Sequence, residues 1–267
     1  MSITPLSKVL VLGGTTEGKA MVNCLLDYGV PVVYSIAGLV RVPEFSSGTA
    51  SCEVIEGGFS SYGGLAEYLK NHDIIGVCDA THPFAKNISA TAWKTCSELT
   101  IPYWRFQRPE WPKQPKDHWQ SFTAWPQLLN ALNENQTVFF SAGQLNDECL
   151  QWLLTHPNQQ IKHLWRTAVE PKSPLPDNLT AVKAIGPFTF ESERQLFTEH
   201  KTDVLVTKNS GGEATIAKIQ VARELGLPVL MLARPTPVPE RVCHDDLNKL
   251  ALLMISQLKL NHMMQVH

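Results

Sequence analysis

Short apolar runs alternate with helical patterns along most of the chain. Apolar runs cover residues 8–13 ("KVLVLG"), 30–38 ("VPVVYSIAG") and 73–83 ("DIIGVCDATHP"), and residues 16–27 place apolar side chains at helical spacing. Strands that alternate with helices are typical of parallel α/β architecture, and the almost wholly apolar run at 73–83 indicates a central strand. We expect the run at 101–109 ("IPYWRFQRP") to be an edge or final strand that closes this first unit.

The same alternation repeats after a proline-rich segment at residues 108–119 ("RPEWPKQPKDHW"), which predicts a domain boundary just after it. The predicted domains are residues 1–120 and 121–267, two Rossmann-like α/β domains with parallel sheets that face one another. An amphipathic helix is predicted at residues 244–260. Its apolar face either covers the core of its own chain, which we favour, or seals a dimer.

Composition and charge exclude several classes of protein. The 267 residues are 43% hydrophobic and 18% charged, with a net charge of -2. A nearly neutral chain has no global positive field to attract nucleic acid or an anionic membrane, so we expect neither partner. No run reaches the roughly 18 apolar residues of a membrane span, no signal peptide is evident, and the six cysteines form no C-x-x-C pair. These features predict a cytoplasmic monomer or weak dimer with reduced cysteines and no metal site.

The first apolar run ends in a glycine-rich turn within "VLVLGGTTEGKA". Residues 13–19 match the G-x-x-x-x-G-K of a P-loop, but Ala20 lacks the hydroxyl that binds Mg²⁺ and Glu17 opposes a triphosphate. The G-x-G-x-x-G fingerprint is absent as well. A strand followed by small residues and a helix N-terminus still suits a pyrophosphate, and Thr15 and Thr16 would add hydroxyls or cap the helix. An ordinary tight turn remains the alternative.

Two further polar turns follow predicted strands. "DATHPFA" (79–85) ends the central strand at the edge where open α/β sheets bind ligands, although Asp79 or Thr81 would also serve as a helix cap. "TKNSGG" (207–212) has the same placement in the second half, with Lys208 as a partner for anions. Each turn alone is ordinary, and the three together favour a ligand site.

Blocks spread over residues 8–235 resemble, in order, the signature blocks of the precorrin-6A reductase family of the cobalamin pathway. They read "LGGTTEGKA", "YSIAG", "GGF", "DATHPFA", "IPYWRFQRPEW", "GPFTFESERQLF" and "VLVTKNSGG", the last followed by "KIQVARELGLPVLMLARP". The resemblance implies two Rossmann-like domains with the active site in the cleft. It also implies transfer of a hydride from NADPH to a double bond of a tetrapyrrole, with a cobalt-containing substrate in the anaerobic route.

The resemblance implies a set of cofactor-binding residues. Gly13, Gly14, Thr15 and Thr16 would hold phosphates, whereas the residues near the adenosine ribose would be Ser35, Ala37 and Gly38. Thr81 and His82 complete this set. Family members often place an arginine where this chain has Leu39, and Arg41 is the candidate replacement, so NADH stays possible beside NADPH.

The substrate of this family carries many carboxylates, so we expect cations near it. The predicted substrate-binding residues are Arg105, Arg108, Lys208, Asn209, Ser210, Gly211 and Gly212. Arg108 has an alternative role as a loop residue that pairs with Glu110. The candidate catalytic residues are His82, Asp79 and Lys208: His82 or Asp79 would supply a proton, or both would only organise the turn, which we favour.

Two other functions remain open. A short-chain dehydrogenase or epimerase needs a Tyr-x-x-x-Lys pair, and no tyrosine of this chain has a lysine four residues later. A non-catalytic nucleotide-binding module is the third possibility, because the fold alone does not confer activity. Such a module would bind a dinucleotide without turnover.

Overall fold

A computed structural model describes residues 7–38, 45, 50–171 and 174–265. The chain forms two compact units, one made of residues 1–109 with 236–267 and the other of residues 110–235. These limits differ from the predicted single boundary after residue 120, because the end of the chain returns to the first unit. In the described part of the chain, no helix is long and apolar enough to cross a membrane.

The first unit is a parallel sheet flanked by helices. Its elements are β1 (Lys8–Leu12), α1 (Thr16–Asp27), β2 (Val32–Ile36), β3 (Cys52–Glu56), α2 (Leu65–Asn71), β4 (Ile74–Asp79), α3 (Lys86–Leu99), β5 (Tyr103–Phe106), β12 (Cys243–His244) and α8 (Leu247–Gln265). The strand order is β12-β5-β4-β1-β2-β3. The order reverses beside β1, which makes the β1/β4 boundary the switch point where such sheets bind ligands.

Two apolar layers sandwich this sheet. Along β1 the side chains alternate, so that Val9 and Val11 face α1 and α8 while Leu10 and Leu12 face α2 and α3. Helix α8 contributes buried Leu250 to the first layer, together with Ala251, Met254, Ile255 and Leu258. The expectation that the terminal helix covers the core of its own chain is therefore confirmed.

Strand β5 is not the last strand of the sheet. Residues 243–244 form β12, which pairs with Arg105 and Phe106 of β5 in parallel. The sequence predicted an edge or final strand at 101–109, but a two-residue strand has too little pattern to be recognised. The outermost position of the sheet is filled by the distant end of the chain.

The second unit repeats the same design. Its elements are β6 (His118–Phe122), α4 (Trp125–Asn130), β7 (Val138–Ser141), α5 (Asp147–Leu154), β8 (His163–Thr167), β9 (Leu179–Lys183), α6 (Phe190–Glu199), β10 (Val204–Lys208), α7 (Ala217–Glu224) and β11 (Pro228–Leu232). The strand order β6-β11-β10-β7-β8-β9 matches that of the first sheet, with β7 and β10 in the places of β1 and β4. The predicted fold class, two α/β units with parallel sheets, is confirmed.

Candidate active site

The carboxyl edge of the first sheet brings the predicted turns together. Leu12 at the end of β1 pairs with Ser35 in β2 and with Asp79 in β4. The glycine turn after β1, the residues after β2 and the "ATHP" turn after β4 therefore begin side by side at the switch point. This is the site that the sequence predicted for a nucleotide.

The glycine turn has one closed side and one open side. A Cβ atom added to Gly13 would lie 2.0 Å from Cε2 of Tyr34, so no other residue fits there without moving that ring. Gly14 has a φ of +99° and donates its backbone N–H to the Tyr34 hydroxyl at 3.0 Å. Among the described residues other than Gly14 and its two chain neighbours, no atom lies within 4 Å of where a Cβ of Gly14 would be. On this side, the described part of the chain leaves the backbone open to the approach of a ligand.

Thr15 caps helix α1 and ties it to β4. Its hydroxyl accepts a hydrogen bond from Gly18 N at 3.0 Å and donates one to the carbonyl oxygen of Ala80 at 2.7 Å. The structure thus shows the capping role rather than a hydroxyl aimed at a phosphate. The exposed Thr16 begins the helix, and helix geometry leaves the amides of Thr16 and Glu17 without partners inside the helix.

Glu17 forms an ion pair with Arg108. Nη1 of Arg108 donates to both carboxylate oxygens, at 2.7 Å and 2.8 Å. The predicted alternative for Arg108 was a pairing with Glu110, and the structure shows Glu17 as the partner instead. The ion pair neutralises the carboxylate that would otherwise repel a phosphate at the N-terminus of α1.

A buried network lies directly below the turn that follows β4. Asp79 and Arg105 are both 0% exposed and form an ion pair through Oδ2 and Nη1. Oδ1 of Asp79 accepts from the N–H of Thr81 at 3.0 Å and from its hydroxyl at 2.7 Å, and Oδ2 accepts from the Tyr103 hydroxyl at 2.8 Å. Burial is the larger of two causes that strongly raise the pKa of Tyr103, and the adjacent Asp79 carboxylate is the other. These bonds fix the turn from beneath.

This burial contradicts two predicted roles. Arg105 cannot bind substrate carboxylates in this conformation, because a side chain with no exposed surface contacts no ligand. Asp79 cannot pass a proton directly to a ligand for the same reason. The sequence misassigned them because an arginine and an aspartate at strand ends are usually exposed, and only a bonded pair is stable in such a place.

His82 and the residues after β2 lie at the open part of this edge. Nδ1 of the half-buried His82 accepts a hydrogen bond from Phe84 N at 3.2 Å, so a neutral ring carries its proton on Nε2. Ser35 is buried, and its carbonyl oxygen accepts from Gly13 N at 2.8 Å. Ala37 and Gly38 are exposed. The predicted residue Arg41, like Leu39, lies outside the described residues.

The second unit places its own polar turn at the equivalent edge. Thr207 of β10 pairs with Ser141 of β7, so the turn 208–212 begins beside the turn after β7. Nζ of Lys208 lies 4.0 Å from where a Cβ of Gly143 would be, and burial lowers the pKa of this lysine. Gly211 has a φ of +68°, and the N–H of Ser210 donates to the Lys208 carbonyl oxygen at 2.8 Å. Gly212 is buried.

Asn209 is held by the start of its own unit. Its Oδ1 accepts from Trp111 N at 3.0 Å, its Nδ2 donates to Glu110 at 3.2 Å, and its carbonyl oxygen accepts from Arg234 Nε at 2.7 Å. These bonds use Oδ1 and one N–H of Nδ2, and they fix the backbone of the turn that presents Lys208. The second N–H of the amide keeps the role of Asn209 as a donor to substrate a prediction.

A buried charged cluster that was not predicted from the sequence lies behind this turn. Nζ of Lys218, in α7, donates to the carbonyl oxygen and the hydroxyl of Ser141, at 3.1 Å and 3.2 Å. Arg166 donates from Nη2 to the same hydroxyl at 2.8 Å and forms an ion pair with Glu193. Burial, Arg166 and Lys208 lower the pKa of Lys218 to about 7. A lysine inside the apolar pattern "IAKIQVA" and an arginine inside "HLWRT" were the available signals.

Metal chemistry has no candidate site in the part of the chain that the structure describes. No group of three or more histidine, cysteine or acidic side chains that could hold a metal ion occurs there. The polar residues at the two edges are donors and cations, which suit phosphate and carboxylate groups.

Comparisons with known proteins agree with this arrangement. A family model described as "Precorrin-6x reductase CbiJ/CobK" matches residues 8–253. A precorrin-6A reductase from Rhodococcus erythropolis is 37% identical over 243 residues, which cover 90% of this chain and 94% of the relative. A cobalt-precorrin-6A reductase from Salmonella typhimurium is 26% identical over 263 residues, with 86% of this chain and 88% of the relative covered.

A solved structure has the same fold over almost the whole chain. The protein named "CobK precorrin-6A reductase" superimposes with a TM-score of 0.80 at 33% identity, and the match covers 94% of this chain and 96% of that one. The family model spans both units, including the three polar turns. The chain is therefore an oxidoreductase that belongs to the precorrin-6x reductase family CbiJ/CobK.

Proposed function

We propose that this chain reduces one double bond of precorrin-6A with NADPH and releases precorrin-6B. The observation that carries the proposal is the glycine turn at the switch point of the first sheet, with open space above Gly14, in a chain of this reductase family. The reduction adds a hydride and a proton across the double bond. The hydride comes from NADPH when that cofactor is bound.

The residues at the first edge fit a dinucleotide. The amides of Thr16 and Glu17 point away from the helix and provide donors for a phosphate, with the helix dipole adding partial positive charge. The Arg108 guanidinium cancels the charge of Glu17, so the turn does not repel an anion. The exposed Ala37 and Gly38 leave space for a ribose at the end of β2. Arg41 is our candidate partner for a 2′-phosphate, since Leu39 offers no charge.

Substrate carboxylates are assigned to the second edge. Lys208 is a half-buried cation at a glycine-rich turn, where a carboxylate would gain a charge-assisted hydrogen bond. Burial lowers the pKa of this lysine, and a bound carboxylate would favour its charged form and raise the pKa again. Ser210 and the backbone of Gly211 and Gly212 complete the proposed contact surface.

Catalysis in this proposal relies on positioning rather than on a dedicated acid. Asp79 acts below the surface, where it holds Thr81 and so orients the turn that contains His82. Of the two predicted proton donors, Asp79 is buried and His82 lies half-buried at the edge. We expect His82→Ala to raise KM for NADPH more than it lowers kcat. A large loss of kcat with unchanged NADPH binding would instead assign proton transfer to His82.

A metal-free substrate is the better supported of the two related substrates. The relative named for precorrin-6A is 37% identical to this chain, whereas the relative named for cobalt-precorrin-6A is 26% identical. We also place the enzyme in the cytoplasm, where its six free cysteines would stay reduced.

The deciding experiment incubates the purified protein with precorrin-6A and NADPH and follows the nicotinamide absorbance. We expect oxidation of NADPH that depends on precorrin-6A and is slower with the cobalt substrate. Parallel reactions with NADH test the cofactor. Binding of NADPH without turnover on either substrate would support a nucleotide-binding module and overturn the proposed activity.

A further inference from the structure

The side chain of Tyr34 occupies the underside of the glycine turn. Tyr34 lies in β2, is 0% exposed, and packs edge to face against Phe45 with ring centroids 5.2 Å apart. Its ring fills the space where a Cβ atom of Gly13 would lie, with Cε2, Cζ and the hydroxyl oxygen at 2.0 Å, 2.2 Å and 2.4 Å from that position. The Tyr34 ring is thus sufficient to require glycine at position 13.

The Tyr34 hydroxyl also reaches the other two glycines of the turn. It accepts a hydrogen bond from Gly14 N at 3.0 Å. A Cβ atom on Gly18 would lie 3.4 Å from the same hydroxyl oxygen, at the close end of ordinary contact. All three glycines of "GGTTEG" thus surround one phenol group. The Tyr34 ring, which is buried below the glycines, limits how closely the backbone of the turn can approach β2.

These contacts divide the amides of the turn into two groups. Three amides are bonded within the protein: Gly13 N to the Ser35 carbonyl oxygen, Gly14 N to the Tyr34 hydroxyl, and Gly18 N to the Thr15 hydroxyl. The amides of the N-cap Thr15 and of Thr16 and Glu17 lie at the N-terminus of α1 and have no partner within that helix. An anion that binds at this turn would therefore accept hydrogen bonds from the second group of amides.

We propose that Tyr34 is a positioning residue for the cofactor. It holds the Gly13–Gly14 segment from below through the ring contact and the Gly14 hydrogen bond, so that a cofactor phosphate is bound by the amides of Thr16 and Glu17. Tyr34 itself has no exposed surface and acts only through the glycines. The inference rests on the proposed use of NADPH and adds a residue to the machinery of that site.

The first test removes the hydroxyl alone. Tyr34→Phe keeps the ring and loses the bond to Gly14, and we expect the dissociation constant of NADPH, measured by calorimetric titration, to rise about fivefold to tenfold. KM for NADPH should rise more than kcat falls, because the effect is on binding. Tyr68→Phe is the matched control, since Tyr68 is also buried in the first unit and its hydroxyl has no partner among the described residues. It should leave NADPH affinity unchanged.

The second test asks why residue 13 is glycine. Gly13→Ala should weaken NADPH binding at least tenfold, because the new methyl group overlaps the Tyr34 ring. In Tyr34→Leu the leucine side chain is too short to reach the positions of the overlapping ring atoms. The double variant Gly13→Ala/Tyr34→Leu should therefore bind NADPH more tightly than Gly13→Ala alone. A cofactor that itself needs the space at residue 13 would make the two losses additive.

A measurement without cofactor separates this inference from the proposed function. Hydrogen exchange of the Gly14 amide in the free protein should be faster in Tyr34→Phe than in the wild type and in Tyr68→Phe. Equal exchange and equal NADPH affinity in the two phenylalanine variants, or additive losses in the double variant, would overturn the role of Tyr34 while the reductase activity stands. A wild-type protein that binds no NADPH would overturn both.

Discussion

In the part of the chain that the structure describes, the buried arginine, lysine, aspartate and glutamate side chains belong to bonded groups. Asp79 and Arg105 form one such group below the first edge, and Arg166, Glu193 and Lys218 form another in the second unit. Desolvation of a single ion is costly, so each buried member depends on the bonds that its partners supply. The groups hold turns rather than contact ligands.

Replacement of Arg105 tests the first group. Arg105→Met leaves the Asp79 carboxylate buried without its cation, and we expect the free energy of unfolding to fall by about 3 to 5 kcal/mol. Urea denaturation measures the change. Lys94→Met is the control, since Lys94 and Glu98 form an exposed pair whose loss should change stability by less than about 0.5 kcal/mol. Equal losses in the two variants would mean that the buried pair does not stabilise the unit.

Because of Lys218, the stability that the second buried group contributes depends on pH. Its pKa is lowered by burial to about 7, from an ordinary value of 10.5. Between these values the unfolded chain holds a proton that the folded chain has lost. The contribution of Lys218 to the free energy of unfolding therefore increases with pH, by at most about 1.4 kcal/mol per pH unit.

The variant Lys218→Met should remove this dependence. We expect the unfolding free energy of the wild type to rise relative to that of the variant between pH 7 and pH 9, as measured by urea denaturation. The exposed Lys249 supplies the control, because Lys249→Met leaves the cluster intact and should keep the dependence of the wild type. A difference that stays constant with pH would contradict the assignment to Lys218.

At the scale of single elements, helix α1 shows how a local pattern and a distant contact combine. The sequence predicted its limits and the possible capping role of Thr15, because both follow from residues close in the chain. The bond from Thr15 to Ala80 crosses 65 positions and has no local signal. The same applies to Tyr34 beneath Gly14, 20 positions away. The sequence thus predicted the turn but not what holds it.

Loss of the cap should destabilise α1 measurably. Thr15→Ala removes the acceptor for Gly18 N and the donor to Ala80, and we expect a loss of about 1 to 2 kcal/mol in unfolding free energy. Thr16→Ala is the control, since Thr16 is exposed and alanine favours a helix. A Tm of Thr15→Ala equal to that of Thr16→Ala would show that the cap contributes nothing.

Two of the strands that were missed, β6 and β12, have a weak pattern. Strand β6 reads "HWQSF" and is largely exposed along one edge of its sheet, so it lacks the apolar run of a central strand. Strand β12 has two residues. The central strands β1 and β4 were predicted because burial on both faces requires apolar side chains throughout.

At the scale of the whole molecule, the resemblance in sequence identified the family, and the match of a family model to residues 8–253 confirms it. Which of the two units the last residues join was not predictable from the sequence. Amphipathic spacing in α8 shows that one face is apolar, but not which sheet that face covers. The assignment to the first unit follows only from the packing of Leu250 and Met254 against β1 and α1.

Truncation after residue 235 tests this assignment. The shortened chain loses β12 and the apolar face of α8, which exposes the layer of the first sheet that contains Val9 and Val11. We expect the first unit to lose its cooperative unfolding transition, followed by near-UV circular dichroism. Leu252→Ala, at a position 54% exposed on the same helix, should leave the transition intact. A truncated chain with a full first-unit transition would contradict the division.

The return of the chain end also sets an order of events during synthesis. Residues 110–235 are contiguous and include every strand of the second sheet, so that unit can fold as soon as it has left the ribosome. The first sheet begins earlier but waits for residues 243–244 and the helix behind them. Its apolar layer therefore stays uncovered until β12 and α8 have been synthesised, and the edge that carries the glycine turn is completed after the second unit.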